Sequence, residues 1–248
     1  MTKLIGGNIS DTPIKNIGDG SAFSVGGGGE TGTVLNESII RTLLAQFDSA
    51  STTWTLAGDA AINSTNANTD IGATNALQLD GTGDNASLAT SISFGRAGGV
   101  PMSAEIWART TVALTTTNTG IFEYRDSSSG SLGVFHYGPS QTVQVERNGG
   151  STFGSGTLTQ NAWTHVAFAM DASNNAAIFV DGTRTGTSTA TGFGGTANGT
   201  FNVGNANTAF GGNAFTGQLS GLRIVIGREV YDPTESSITV PTTMFKVL

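Results

Sequence analysis

Trp163-Thr164-His165-Val166-Ala167-Phe168-Ala169-Met170, followed after a short gap by Ala177-Ile178-Phe179-Val180-Asp181-Gly182, is the stretch that decides the fold. Two apolar runs of strand length are closed by an Asp-Gly turn signal. Working outward, the same grammar recurs along most of the chain. Residues 76–80 alternate apolar and polar, Gly81-Thr82-Gly83 turns, and residues 86–89 resume the pattern. Further strands are read at 103–109, 120–124, 133–137, 142–146, 200–204 and 217–226, with Asn148-Gly149-Gly150 among the turn clusters. Many short strands with turn signals and no alternating helices indicate an all-β protein, an antiparallel sandwich or barrel.

Composition agrees with that class and excludes several functions. Of the 248 residues only 12% are charged, about half the usual ~25%, and polarity comes instead from Thr, Ser, Asn and 36 Gly. Eleven Lys and Arg against 18 Asp and Glu leave a formal charge of −7, the wrong balance for a nucleic-acid binder. The absence of Cys removes disulfide scaffolds, thiolate zinc sites and Cys nucleophiles, and leaves the redox compartment open. No apolar run approaches the ~20 residues of a spanning helix, and the opening Met1-Thr2-Lys3-Leu4-Ile5-Gly6 does not read as a secretion signal. The expectation is a soluble protein made in a cytoplasm, with no membrane and no nucleic acid as partner.

Residues 1–42 differ from the rest. They contain Gly26-Gly27-Gly28-Gly29, which has no side chains from which to build a core. From Val34 to Leu44, apolar residues at 35, 39/40 and 43/44 recur at helical spacing, with Asn36 placed as N-cap, so a short helix is expected there. The segment reads as an N-terminal arm. It either docks on another subunit or folds back on the domain formed by residues 43–248.

Four motifs carry a resemblance to laminin-G-like (concanavalin A-like) jelly rolls. Residues Asn75 to Ala86 resemble the opening strand pair, with Asn85 where the family usually has an aromatic. Ser103-Ala104-Glu105-Ile106-Trp107-Ala108-Arg109 is similar to the T-x-E-x-W-x-(K/R) strand. Trp163-Thr164-His165-Val166-Ala167 with Ile178-Phe179-Val180-Asp181-Gly182 is similar to the W-x-H-V-A…V-D-G hairpin. Phe215 to Ile224 matches F-x-G-x-(I/L)-x-x-(L/V)-R-I, and Leu43 to Asp48 stands as the first strand. The resemblance spans about residues 43–248 and implies a jelly-roll β-sandwich with a Gly-rich N-terminal arm.

The closing segment, Arg223 to Tyr231 and then Ile238-Thr239-Val240-Pro241, resembles the ends of laminin-G-like domains in virion proteins of tailed bacteriophages. That likeness implies a non-enzymatic capsid or tail decoration or fibre component. It would be anchored to other virion proteins through residues 1–42, as a homo-oligomer, in particles assembled in the host cytoplasm. The alternative expectation is a carbohydrate-binding adhesin that recognises a host-surface glycan.

Catalytic readings fail on their residues. Gly81-Thr82-Gly83-Asp84-Asn85-Ala86 formally matches a dinucleotide fingerprint, but a strand follows it where a helix N-terminus is needed. His165 sits in an apolar strand beside Trp163 and reads as a packed core residue; His136 has no metal-ligand neighbours at suitable spacing. Glu123 and Asp126 read as a solvated strand end, and the E-x-D-x-x-E strand of concanavalin-like glycosidases is absent. No enzyme and no organic cofactor are expected. Because related jelly rolls often hold Ca²⁺ through Asp carboxylates, Asp48, Asp80 and Asp84 are the candidate ligands, although Ser220-Gly221 replaces the family's usual Asp pair. Trp107 and Trp163 fall in the family's core strands. Trp54, Tyr124, Tyr137 and Tyr231 are therefore the candidate exposed faces for stacking a sugar.

Overall fold

A computed structural model describes residues 41–45, 47, 54–89, 100–113, 118–126, 131–136, 142–147, 151–189, 199–205 and 213–245. The chain divides into residues 1–33 and 34–248, and the first unit lies wholly outside the described residues. So does residues 1–40 of the arm, together with the anchoring role expected of it. No helix among the described residues is long and apolar enough to cross a membrane.

Sixteen strands are described: β1 Arg41–Ala45, β2 Thr55–Ala57, β3 Ala61–Asn63, β4 Ala76–Asp80, β5 Asn85–Ala89, β6 Met102–Thr110, β7 Thr119–Asp126 and β8 Ser131–His136. The remainder are β9 Thr142–Arg147, β10 Ser151–Thr157, β11 Thr164–Met170, β12 Ala176–Val180, β13 Thr183–Ser188, β14 Gly199–Val203, β15 Asn213–Ala214 and β16 Thr216–Ile226. They form two sheets. Sheet A runs β13-β12-β11-β6-β16-β4-β3, with β1 on the far half of β16; sheet B runs β10-β9-β8-β7-β14-β5-β2, with β15 beside β7. Pairing is antiparallel except between β15 and β7. Among the described residues helical structure is limited to the short 3-10 turn Thr69–Ile71.

Arg41–Ala45 corrects the helix expected up to Leu44. Helical spacing loses to a ladder, because residues 41–45 pair one-to-one with Ile226 back to Leu222 of β16. Residues 34–40 of that expectation lie outside the described residues.

Register explains which side of each sheet is core. Across sheet B one row reads Phe153, Val145, Val134, Phe122, Val203, Ala86, Leu56. Within it Val145, Phe122, Val203 and Ala86 are buried among the inward residues of sheet A, such as Ile106, Phe168 and Leu222. The next row, one residue along every strand, reads Thr152, Glu146, Gly133, Glu123, Asn202, Ser87, Thr55. Successive strand residues face opposite ways, so this row, polar except for Gly133, lies on the outer face.

Sheet A is different, because its outer face is covered. Ala167, Ala169, Ala177 and Phe179 form a second apolar layer with Tyr231 and Ile238. Trp107 packs with Ile71, Ala73 and Phe245 in a third. Residues 227–245 and the turn at Thr69–Ile71 therefore seal this face, and β11 and β12 are buried at every position. Two-sided burial accounts for the near-continuous apolar runs that open the reading of the fold.

At one side the sheet edges close on each other. A Cβ built on Gly186 of β13 would lie 2.7 Å from the backbone of Gly154 in β10. Ser155 Oγ donates to the Thr185 carbonyl across the same junction at 2.9 Å.

Candidate functional site

Two turns meet at the rim of the sandwich and bring three carboxylates together. After β2 the chain turns at Gly58, where φ is +69°. A Cβ there would fall 2.2 Å from Asp84 Oδ1, so glycine is required by both space and backbone. After β4 it turns through Gly81 and Gly83, at φ of +91° and +74°, into Asp84 and β5.

Asp84 is 1% exposed and joins the two turns. Its Oδ1 accepts the Asp59 amide at 3.0 Å and its Oδ2 accepts the Asp80 amide at 2.6 Å. Asp80 Oδ1 in turn accepts the Thr82 amide at 2.6 Å, which tightens the second turn. One carboxylate oxygen from each of Asp59, Asp80 and Asp84 lies within 4.8 Å of the others, and Asp59 and Asp80 are exposed. The charge of Asp80, then the hydrogen bond and charge of Asp84, hold the Asp59 carboxyl above its ordinary range.

This donor set fits a hard divalent cation. Ca²⁺ takes oxygen ligands at about 2.3–2.6 Å, so oxygens across one ion are about 5 Å apart. Separations within 4.8 Å are compatible with such an ion, which would relieve the mutual repulsion of the carboxylates. Asp59 and Asp80 are the exposed candidate ligands, and Asp84 orients them. Of the sequence candidates, Asp80 and Asp84 are brought together, while Asp48 lies outside the described residues. Asp59 is a residue that sequence reasoning missed. Its only signal is the Gly58-Asp59 turn, and nothing local shows that this turn reaches Asp84.

Trp54 and Tyr231 do not present open faces for stacking. Trp54 is 9% exposed with its ring 5.6 Å from that of Phe47, which corrects the expectation of an open face there. Tyr231 is also corrected. Its ring packs near Phe179 and His165, and its hydroxyl donates to Glu105 Oε2 at 2.6 Å. Tyr124 lies in β7 opposite Phe201 of β14, and Tyr137 falls outside the described residues. His165 is fully buried, as a packed residue should be, with Nε2 3.0 Å from Glu105 Oε2. Glu123 is fully buried in β7, which corrects the solvated strand end expected there; β7 runs on to Asp126, so Glu123 sits mid-strand.

The polar row of sheet B approaches the same rim. Its end residues Asn202, Ser87 and Thr55 stand on β14, β5 and β2. Ser87 is three residues beyond Asp84, and Thr55 is four before Asp59. Thr55 is exposed, and Ser87 and Asn202 are half-buried. In the middle of the row Glu123 and Glu146 are 0% and 5% exposed.

Comparison with known proteins agrees with this architecture. The profile of the family described as the concanavalin A-like lectin/glucanases superfamily, Laminin_G_3, matches residues 80–226. Domain 4 of AbnA, a GH43 extracellular arabinanase from Geobacillus stearothermophilus solved with arabinotriose, is 18% identical with a TM-score of 0.53. The match covers 79% of this chain and 84% of that domain. The globular domain of T. cruzi calreticulin is 12% identical, at a TM-score of 0.49 over 75% of this chain and 87% of that one. The receptor-binding domain of botulinum neurotoxin type G is 15% identical, at 0.48 over 74% of this chain and 44% of that one. At 18% identity the arabinanase domain speaks to the fold alone. No curated protein sequence matches the chain. None of the proteins named here is described as a virion component, so the virion setting rests on the sequence resemblance.

Proposed function

The chain belongs to the concanavalin A-like lectin/glucanase superfamily, and from that premise we propose that it binds carbohydrate without cleaving it. The observation that carries this reading is the contrast between its two outer faces. Sheet A is covered by apolar packing, whereas the β14–β5–β2 end of sheet B carries the polar Asn202, Ser87 and Thr55, the last two close along the chain to Asp84 and Asp59 of the carboxylate cluster.

Side-chain amides, hydroxyls and carboxylates are the groups that exchange hydrogen bonds with sugar hydroxyls. When bound at the rim, a divalent cation would add an electrophilic contact for such hydroxyls. A protein of charge −7 with few cations disfavours acidic glycans, which points to neutral oligosaccharides as the ligand class. The similar arabinanase domain was solved with arabinotriose, itself a neutral oligosaccharide. The non-catalytic part of the reading is supported by burial. Glu123 and Glu146, the acids of the polar row, are closed off where a hydrolytic pair must flank an accessible bond.

An array of neutral and acidic oligosaccharides, probed with the full chain in Ca²⁺ and again in EDTA, tests this. Binding to a subset of neutral glycans is expected, weakened by EDTA. A flat array in both conditions, or release of reducing sugar from a bound glycan, contradicts the reading.

A further inference from the structure

Residues 227–245 follow β16 and cross the outer face of sheet A without forming a strand of their own, apart from one bridge between Ser237 and Thr183. Besides the apolar packing of Tyr231, Ile238, Val240, Met244 and Phe245, their hold consists of separate hydrogen bonds. The Gly227 amide donates to the Pro101 carbonyl at 2.9 Å, Ile238 to Gly182 at 2.8 Å and Met244 to Ile71 at 3.0 Å. The Val230 amide donates to Ser103 Oγ at 2.8 Å. Arg184 of β13 donates to the carbonyls of Pro233 and Thr234 at 3.2 and 2.6 Å.

At the centre of this segment Tyr231 meets Glu105, a carboxylate of β6 that is 1% exposed. Glu105 Oε2 accepts the Tyr231 hydroxyl and lies 3.0 Å from His165 Nε2 of β11. Its Oε1 accepts Arg223 Nε of β16 at 2.6 Å and also pairs with Arg223 Nη2. The Arg223 guanidinium in turn stands 5.1 Å from the centre of the Phe245 ring. Among the described residues the charged and titratable groups facing Glu105 are thus His165 and Arg223 from the sheet and Tyr231 from the crossing segment.

We propose that residues 227–245 are a releasable strap, opening as a unit while both sheets stay folded, and that the Tyr231–Glu105 contact is its latch. Two features make the opening separable. β6 is hydrogen-bonded along its length by β11 and β16, so its backbone ladders do not run through the strap. When Tyr231 leaves, Glu105 keeps Arg223 and His165, and no buried charge is stranded. Opening would bare Trp107 and Phe179, which the strap covers with Phe245 and Tyr231. This inference is independent of what sheet B binds.

Tyr231→Phe tests it, because the ring is kept and only the latch hydroxyl is lost. Full-length wild type and variant are digested with a glutamyl endopeptidase, which cuts the strap after Glu229 and Glu235. Amide exchange is followed in parallel. Losing one hydrogen bond to a charged group is expected to speed strap cleavage by about tenfold or more. The amides of β6, β11 and β16 should keep wild-type protection. Ser103→Ala, which removes the strap's contact beside the latch, should act in the same direction. Equal cleavage of wild type and Tyr231→Phe overturns the proposal. So does loss of protection in the sheet strands at the same rate as in the strap.

Discussion

The backbone amide of Asp59 donates to the buried carboxylate of Asp84 at 3.0 Å, across 25 residues of chain. Asp84 accepts the Asp80 amide through its other oxygen, so one side chain sets the geometry of both turns that carry the rim carboxylates. Asp84→Ala leaves both amides without that acceptor and is expected to cost about 2–3 kcal/mol. Thermal unfolding reads this as a drop of about 5–10 °C for a domain of this size. A melting temperature unchanged by Asp84→Ala would show that the turns hold without it.

Cation binding at the rim predicts a Ca²⁺-dependent melting temperature. Millimolar Ca²⁺ should raise it and EDTA should reverse the gain, since an ion that binds only the folded state stabilises by mass action. Asp59→Asn should abolish most of the shift while leaving the EDTA-treated protein no less stable. Without an ion, the folded state holds the Asp59 carboxyl above its ordinary range, through Asp80 first and then Asp84. Its contribution is therefore favourable at low pH and is lost as pH rises through the folded pKa. The Ca²⁺ shift should accordingly grow with pH across the carboxylate range. An EDTA-insensitive melting temperature in scanning calorimetry would dispose of the site.

Glu105 predicts pH dependence of the opposite sign. Burial opposes its charge, but the hydrogen bond and charge of His165, the charge of Arg223 and the Tyr231 hydroxyl outweigh burial and lower its pKa. Its stabilisation is therefore complete above the ordinary carboxylate range and is lost as pH falls through the lowered folded value. Glu105→Gln leaves Arg223 without its buried counter-charge and is expected to cost about 3–5 kcal/mol near neutrality. The penalty should shrink in acid, where the wild-type carboxylate is protonated as well. Urea titrations of both proteins at neutral and acid pH measure it, and a pH-independent difference contradicts the assignment.

Gly186→Ala tests the junction of the two sheet edges. The added methyl group would lie 2.7 Å from the backbone of Gly154, which has no flexible end to move aside. Overpacking of this kind costs about 1–3 kcal/mol. Gly72→Ala, where the new Cβ meets nothing within 4 Å, reports only the strain of φ at +79° and serves as the control. Equal losses in the two variants would mean that β10 and β13 are not held in close contact.

The two sheets were legible in the sequence where a strand is buried on one or both faces. Residues 164–170 are a strand at the limits read from their apolar run, and 76–80 follow their alternation likewise. β10 and β13 were not legible. Apart from Phe153 and Arg184, Ser151–Thr157 and Thr183–Ser188 carry Gly and hydroxyl residues in place of an apolar alternation, and at Gly154, Gly156 and Gly186 the close packing leaves no room for a side chain. Local spacing misled at Arg41–Ala45, where the partner strand lies near residue 224. The motif residues Glu105, Trp107, His165 and Arg223 could be quoted from the sequence. Their shared place beneath residues 227–245 follows only from register. Asp80 and Asp84 were visible as turn acids, whereas Asp59 joins them through a contact between distant turns.

Carbohydrate binding at the β2–β5–β14 end of sheet B is the central claim, and two-dimensional amide NMR of the full chain with arabinotriose and a panel of neutral oligosaccharides tests it most directly. A binding glycan should shift the amides of Thr55, Ser87 and Asn202 together with those of Asp59, Asp80 and Asp84, and the shifts should weaken in EDTA. Ser87→Ala and Asn202→Ala should each weaken binding by roughly fivefold to tenfold, as expected for one hydrogen bond. Spectra unmoved by every glycan, or shifts confined to other strands, would contradict the account.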